Sequence, residues 1–410
     1  MRGRNPPDSG LLLATIALLL FGLILVYSAS YYLSAKYFED HAYLLKKQLL
    51  AAAVGLGLMI ILIYFDYHHF DQLSEPLLLA SFGLTLLSLI PGLSTGGRWL
   101  LLGPFRLQPT EPLKLTLIVY MASSISRRSE RLRPKQGLGS FSEGVMPYLV
   151  ILGIAGGLAI AQPDLGMAII YGALVFFMLF IGGARPVHLF LSGGIGLSLV
   201  YLLLRTTPYR WERIISFLAP LKYGQDWGYQ LLQSLVALGS GGPFGRGLGA
   251  GREKLLYLPS AHNDFIAAVI GEELGLLGGC LLLVLFSFLI RRGISIVKQA
   301  PDRFGSLLGA GLLFSLGFQA AVNLGVVAGL LPVTGLTLPF ISYGGSSLIT
   351  SLAMVGILLN ISRQGKEGET GFELTDLSGR RGEWGPPLPR LSDLRGLPGP
   401  WGRAARIYRG

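Results

Sequence analysis

The chain has 410 residues, 51% hydrophobic and only 14% charged, with a mean hydropathy of +0.56. A soluble domain needs about 25% charged residues to cover its surface, so an ordinary soluble globule is excluded, as is disorder over most of the length. The single cysteine, Cys280, excludes a disulfide framework or a cysteine-based metal cluster. Many of the cations behind the net charge of +11 sit in short segments between apolar runs. They read as membrane-topology signals rather than as a nucleic-acid surface.

A membrane-spanning helix needs about 20 apolar residues. Such runs lie at 10–31, 48–65, 77–92, 113–126, 146–162, 165–183, 186–205, 264–290, 305–331 and 340–361. They predict an all-α polytopic membrane protein with about ten transmembrane helices. The first run is too long for a signal-peptide core and lacks a small-residue cleavage pattern, so it stays as a helix of the mature chain. Segment 127–135 holds Arg127, Arg128, Arg131, Arg133 and Lys135 against Glu130, and segment 291–303 holds Arg291, Arg292, Lys298 and Arg303 against Asp302. The positive-inside rule puts both segments, and with about ten spans both termini, in the cytoplasm. Residues 1–364 then form one transmembrane domain, in which 206–263 is a large extracellular loop between the seventh and eighth helices. Residues 365–410, with several Gly, Pro and Arg and no long apolar run, read as a disordered cytoplasmic tail.

The same rule predicts few cations outside. Yet Arg98, Arg106 and Lys114 fall in or beside the external link 92–112, and the long loop carries Arg210, Arg213, Lys222, Arg246, Arg252 and Lys254. A loop of about 60 residues can escape the charge bias. The alternative is a site for a large anion, because Arg forks and Lys point charges suit phosphate and pyrophosphate.

Asp264, in LPSAHND at 258–264, reads either as the N-cap of the following helix or as a carboxylate at the water–lipid boundary that takes a proton from a substrate hydroxyl. Glu272 and Glu273 follow in that helix, and intramembrane acids are costly enough to face the protein interior or a wet cavity. Asp164, in QPDLG at 162–166, reads first as a turn-forming residue after Pro163. Segment 332–347 is interrupted by Pro and Gly while remaining apolar. At membrane depth, such backbone must be buried in protein or line a cavity, and Ser342 and Tyr343 suit a polar lining. No HExxH, P-loop, dinucleotide fingerprint or nucleophile elbow occurs in a supporting context. His68 and His69 fall on the opposite side from His262, so no zinc site is expected.

Several motifs in order carry a resemblance: GGRWLLLGPFRLQPTEPLKL at 96–115, QPDLG at 162–166, GYQLLQSLVALGSGGPFGRGLG at 228–249, LPSAHNDFIAAVIGEELGLLG at 258–278 and NLGVVAGLLPVTGLTLPFISYGGSS at 323–347. Over roughly residues 10–363 the chain resembles the SEDS family of polytopic cell-wall proteins, which includes FtsW, RodA and SpoVE. VYSAS at 26–30 and PVTGLTLPFISYGGSS are more like FtsW than RodA. The resemblance implies an inverting glycosyltransferase that polymerises lipid II, an undecaprenyl-pyrophosphate disaccharide-pentapeptide, into β-1,4 glycan strands at the outer face of a bacterial cytoplasmic membrane. It also implies a class B penicillin-binding protein as crosslinking partner, together with other divisome or elongasome membrane proteins. Septal synthesis is the expected setting. A RodA-like elongation role, a lipid II flippase and a non-catalytic division scaffold are the alternatives.

The family's essential Asp maps onto Asp264 in His262-Asn263-Asp264-Phe265-Ile266, with Asn263 in place of the commoner Thr. Thr110 stands where Ser is usual, and a single Arg98 stands where two arginines are common. Arg98, Trp99, Lys114, Arg210, Arg213, Lys254, His262 and Ser342 are the expected substrate-binding residues, with Glu111, Asp164, Glu272 and Glu273 as structural or cavity acids. A divalent cation, magnesium or manganese, is the one candidate cofactor, and no all-protein ligand cage is visible.

Overall fold

A computed structural model describes residues 5–102, 105–131, 138, 140–220, 227–255 and 257–365. The proposed tail after Gly365, Lys135 and Lys222 lie outside them. Each expected apolar run forms a helix. These are α1 (Ser9–Phe38), α2 (Tyr43–Tyr64), α3 (His68–Leu87), α4 (Thr110–Arg131), α5 (Met146–Ala161), α6 (Leu165–Gly182) and α7 (Pro186–Thr206). After two shorter helices come α10 (Ile266–Lys298), α11 (Arg303–Val327) and α12 (Gly345–Gln364). Eight of them, α5 counted with the π-helical turn Phe141–Val145 that leads into it, are long and apolar enough to cross a membrane. The other two, α3 and α4, have the length, about 30 Å at 1.5 Å per residue, but carry charges toward their ends. They pack together, with Ser74 Oγ 3.0 Å from Ser123 Oγ and Arg127 Nε 3.2 Å from Asp71.

The segments expected outside the membrane differ in structure from the sequence expectation. The region expected as one large loop contains α8 (Pro208–Leu218) and α9 (Trp227–Ser240), each too short to register as a span. The link 92–112 holds a three-stranded antiparallel sheet, β1 (Ser94–Thr95), β2 (Trp99–Leu102) and β3 (Phe105–Leu107), in the order β1-β2-β3. The fold is therefore α-helical with one small sheet.

Two ends of the bundle can be distinguished. At the basic end, Asn5 N–H donates to the Arg363 carbonyl at 3.0 Å, Arg292 pairs with Asp8, and Arg303 donates to the Gly182 carbonyl at 3.3 Å. The segments expected in the cytoplasm gather there. At the opposite, sheet end lie β1–β3, α8, α9 and the turn containing Asp264. Among the spans, α12 is the most buried and α7 the least. α12 packs along α2, and Asn360 fixes that contact by donating to the Ile63 carbonyl at 2.8 Å.

α10 is a helix broken by one residue. Gly275 has φ 65° and ψ −155°, a region essentially closed to any side chain. A Cβ there would lie 2.3 Å from Gly245 N and 2.6 Å from the Gly242 carbonyl oxygen. Gly275→Ala is expected to cost more than the ~1–3 kcal/mol of backbone strain alone, because the 241–245 backbone would also have to move. A thermal-unfolding midpoint in detergent indistinguishable from wild type would refute this.

Candidate functional site

Asp264 lies in a turn just before α10. The helix N-cap is Phe265, and no side chain caps it, so the N-cap reading of Asp264 does not hold. The carboxylate is instead free of local structural duty, and the turn is fixed through its main chain. Asn323 of α11 uses Nδ2 to donate to the Asp264 carbonyl and to the Leu336 carbonyl, each at 2.7 Å. Tyr343 N–H donates to the His262 carbonyl at 2.9 Å, and Asn263 N–H to the Ser260 carbonyl at 2.9 Å. The interrupted segment 328–344 thus wraps the turn, and a Cβ on Gly335 would stand 3.9 Å from Asp264 Oδ2.

Burial raises Asp264 to about 6, opposed by its own amide N–H and then by Arg98 and Arg213. Those two arginines are its cationic neighbours. Arg98 also pairs with Asp164 at 2.7 Å, while its buried Nε has no protein partner. Arg213, on α8, reaches the Val333 carbonyl at 3.5 Å. Burial lowers His262 to about 4, so its imidazole is neutral near pH 7 and donates or accepts hydrogen bonds without adding charge.

Asp164 serves in two ways. Oδ1 caps α6 by accepting from Met167 N–H at 3.1 Å, and Oδ2 accepts from Gln108 Nε2 at 2.8 Å as well as from Arg98. Below it runs a buried polar chain. Lys114 Nζ sits 2.8 Å from Glu111 and 2.6 Å from Gln319 Oε1, and Gln319 Nε2 donates to the Thr337 carbonyl at 2.9 Å. Thr337 Oγ1 then donates to Ser347 Oγ at 2.9 Å. Lys114, expected to bind substrate, is 1% exposed and directs two of its three N–H donors at Glu111 and Gln319.

Lys254, also expected to bind substrate, is likewise paired with a buried acid. Its Nζ is 2.6 Å from Glu273 Oε1 and 2.9 Å from Ser28 Oγ, all buried. Glu273 also accepts from Gly249 N–H at 3.1 Å, and Glu272 from Arg252 N–H at 2.7 Å and Arg246 Nη1 at 3.2 Å. Both acids hold the 241–255 segment against α10, and neither meets Asp264. Ser342 is buried and structural, its hydroxyl accepting from Leu338 N–H at 2.8 Å. Trp99 is half-buried on β2 opposite Thr95. Arg210 lies on α8, and its side chain is outside the described residues. Sequence reasoning passed over Gln108, Gln319, Asn323 and Thr337. The only available signal was an amide or hydroxyl inside or beside an apolar run, of the kind that hydrogen-bonds between membrane helices.

Among the described residues no three of His, Cys, Asp or Glu converge to hold a metal ion.

Fold and site together define a multi-pass membrane protein with a partly buried carboxylate, flanked by arginines, at one end of its helices. The chain belongs to the cell cycle protein family of FtsW, RodA and SpoVE, whose sequence profile matches residues 9–367. It is 43% identical over 377 residues to "Probable peptidoglycan glycosyltransferase FtsW" of Trichlorobacter lovleyi, covering 91% of this chain and 96% of that protein. It is 42% identical to "Stage V sporulation protein E" of Bacillus subtilis, covering 88% and 98%. A solved structure described as "Structural coordination of polymerization and crosslinking by a peptidoglycan synthase complex" superposes with a TM-score of 0.70 at 30% identity, covering 87% of this chain and 98% of that one. The rod shape determining protein RodA of Thermus thermophilus superposes with a TM-score of 0.63 at 30% identity, covering 88% and 98%.

Proposed function

We propose that the chain is a peptidoglycan glycosyltransferase that polymerises lipid II at the outer face of the bacterial cytoplasmic membrane, in septal wall synthesis. The observation that carries the reaction is Asp264, its pKa raised by burial, held by its main chain and flanked by two arginines. A relative named for this activity is 43% identical over 377 aligned residues, whereas the RodA structure is 30% identical, which favours the septal setting. The gathering of Arg291, Arg292, Arg303 and Arg127 at one end supports a reading with that end in the cytoplasm and the sheet end outside.

The acceptor's 4-hydroxyl oxygen attacks the donor's anomeric carbon as Asp264 takes the hydroxyl proton. The new C–O bond forms while the bond from that carbon to the pyrophosphate oxygen breaks, and the electron pair leaves with the lipid pyrophosphate. Attack from the face opposite the leaving group turns the α-linked donor into a β-linked product. Charge on the departing pyrophosphate is met by Arg98 and Arg213, whose preorganised donors cost no reorganisation during reaction. A class B penicillin-binding protein is the proposed partner, supported by the likeness to a synthase complex that couples polymerisation to crosslinking.

The test is purified chain with lipid II in detergent, with and without a candidate transpeptidase. Glycan polymer is the expected product. Translocation of lipid II in liposomes with no polymer in either format would overturn the reading in favour of a flippase.

A further inference from the structure

The sheet end carries aromatic residues that none of the steps above uses. Beginning at the Asp264 turn, the His262 ring lies 5.7 Å from the ring of Tyr343, tilted by 55°. Three residues beyond Tyr343, Ser346 Oγ donates to the Arg106 carbonyl at 3.3 Å. The first turns of α2 dock on this segment, with Gln48 Nε2 donating to the Ser342 carbonyl at 3.1 Å and Gly344 N–H donating to Gln48 Oε1 at 3.2 Å. From Tyr43 the row continues to Phe38, whose ring stacks at 4.0 Å and 15°, and Lys47 Nζ lies 4.5 Å from the centre of the Tyr43 ring. Phe38, Lys47 and Arg106 are exposed, whereas Tyr43, Tyr343 and His262 are half-buried.

The half-buried part of this row does not suit an aromatic belt. Belt residues sit at the membrane–water interface with their rings at headgroup level, but His262, Tyr343 and Tyr43 are half-buried in protein, and the row begins two residues before Asp264. Aromatic faces carry the negative part of the ring quadrupole, and the axial C–H bonds of a pyranose present a weakly positive apolar face of matching size. Lys47 and Arg106 add exposed cations beside the row, as carboxylates on a peptide-bearing saccharide require.

We propose that His262, Tyr343, Tyr43 and Phe38 form a saccharide track that receives the sugar chain next to Asp264 and guides it over the α1–α2 hairpin. The inference rests on the glycosyl-transfer reading and assigns a subsite to it. A track of this kind acts on strand length rather than on the first bond made, because a product that leaves it is released before the next addition.

The experiment measures strand length and the initial rate of the first coupling, using the full chain and lipid II. Tyr43→Ala and Phe38→Ala are expected to shorten strands severalfold with the first-coupling rate unchanged. Tyr43→Phe, which keeps the aromatic face, is expected to restore length, and Tyr43→Leu, which keeps only apolar bulk, is not. Wild-type strand lengths in both alanine variants would overturn the track. Equal rescue by Leu and Phe would also overturn it, showing the row to be a lipid-facing belt or a packing contact. If an alanine variant loses its monodisperse elution, the Phe and Leu pair decides alone. Absence of polymer from the wild-type chain would instead defeat the glycosyl-transfer reading, and this proposal with it.

Discussion

Asp264→Asn is expected to yield a folded, monodisperse protein that polymerises lipid II ~10²–10⁴-fold more slowly, the contribution of a positioned general base. The amide preserves shape but cannot accept the hydroxyl proton. The fold survives because the turn is held through main-chain atoms: Asn323 binds the Asp264 carbonyl, and Tyr343 N–H binds the carbonyl of His262. The pH profile adds a second reading of the same group. Burial raises the carboxyl to about 6, and a base works only when deprotonated, so the wild-type rate should fall as pH drops through about 6 and level off above it. Arg213 opposes the effect of burial on this group, so Arg213→Ala should move the acid limb to higher pH. A wild-type rate in Asp264→Asn would remove Asp264 from the reaction. An acid limb that stays put in Arg213→Ala would separate that limb from Asp264.

The spans were legible because a bilayer imposes a length and a hydropathy that few soluble segments meet. α8 and α9 were not, since helices of 11 and 14 residues fall below that length. Nor was the sheet, because strands of two to four residues are too short to show alternation. The site was harder to read. Local sequence favoured a helix cap over a base for Asp264, and only the family's motifs favoured the base. Charge counting could not tell which cations pair with buried acids. Lys114, Lys254, Arg98 and Arg213 look alike in one dimension, yet the first three pair with Glu111, Glu273 and Asp164. Such pairing depends on contacts 19 to 245 residues apart in the case of Lys254, Ser28 and Glu273, which no local pattern records.

Lys254→Met is expected to destabilise the protein by ~3–5 kcal/mol, because removing one member of a buried ion pair strands the other charge. Glu273 is inaccessible, and with Lys254 gone only Ser28 Oγ at 2.7 Å and Gly249 N–H at 3.1 Å remain to solvate it. The double variant Lys254→Met, Glu273→Gln should recover most of the loss, since a neutral amide can still accept from Ser28 and Gly249 and no charge is buried. Arg246→Ala gives the contrasting case. Its guanidinium is 38% exposed, so water can take part of its place beside Glu272, which keeps two backbone donors, and the cost should be smaller than for Lys254→Met. Thermal unfolding in detergent measures all three. Polymerisation by the double variant then separates structure from binding: once folded it should extend glycan at close to the wild-type rate, because Lys254 touches Glu273 and Ser28 rather than the turn that carries Asp264. A folded double variant that makes no polymer would return Lys254 to the substrate.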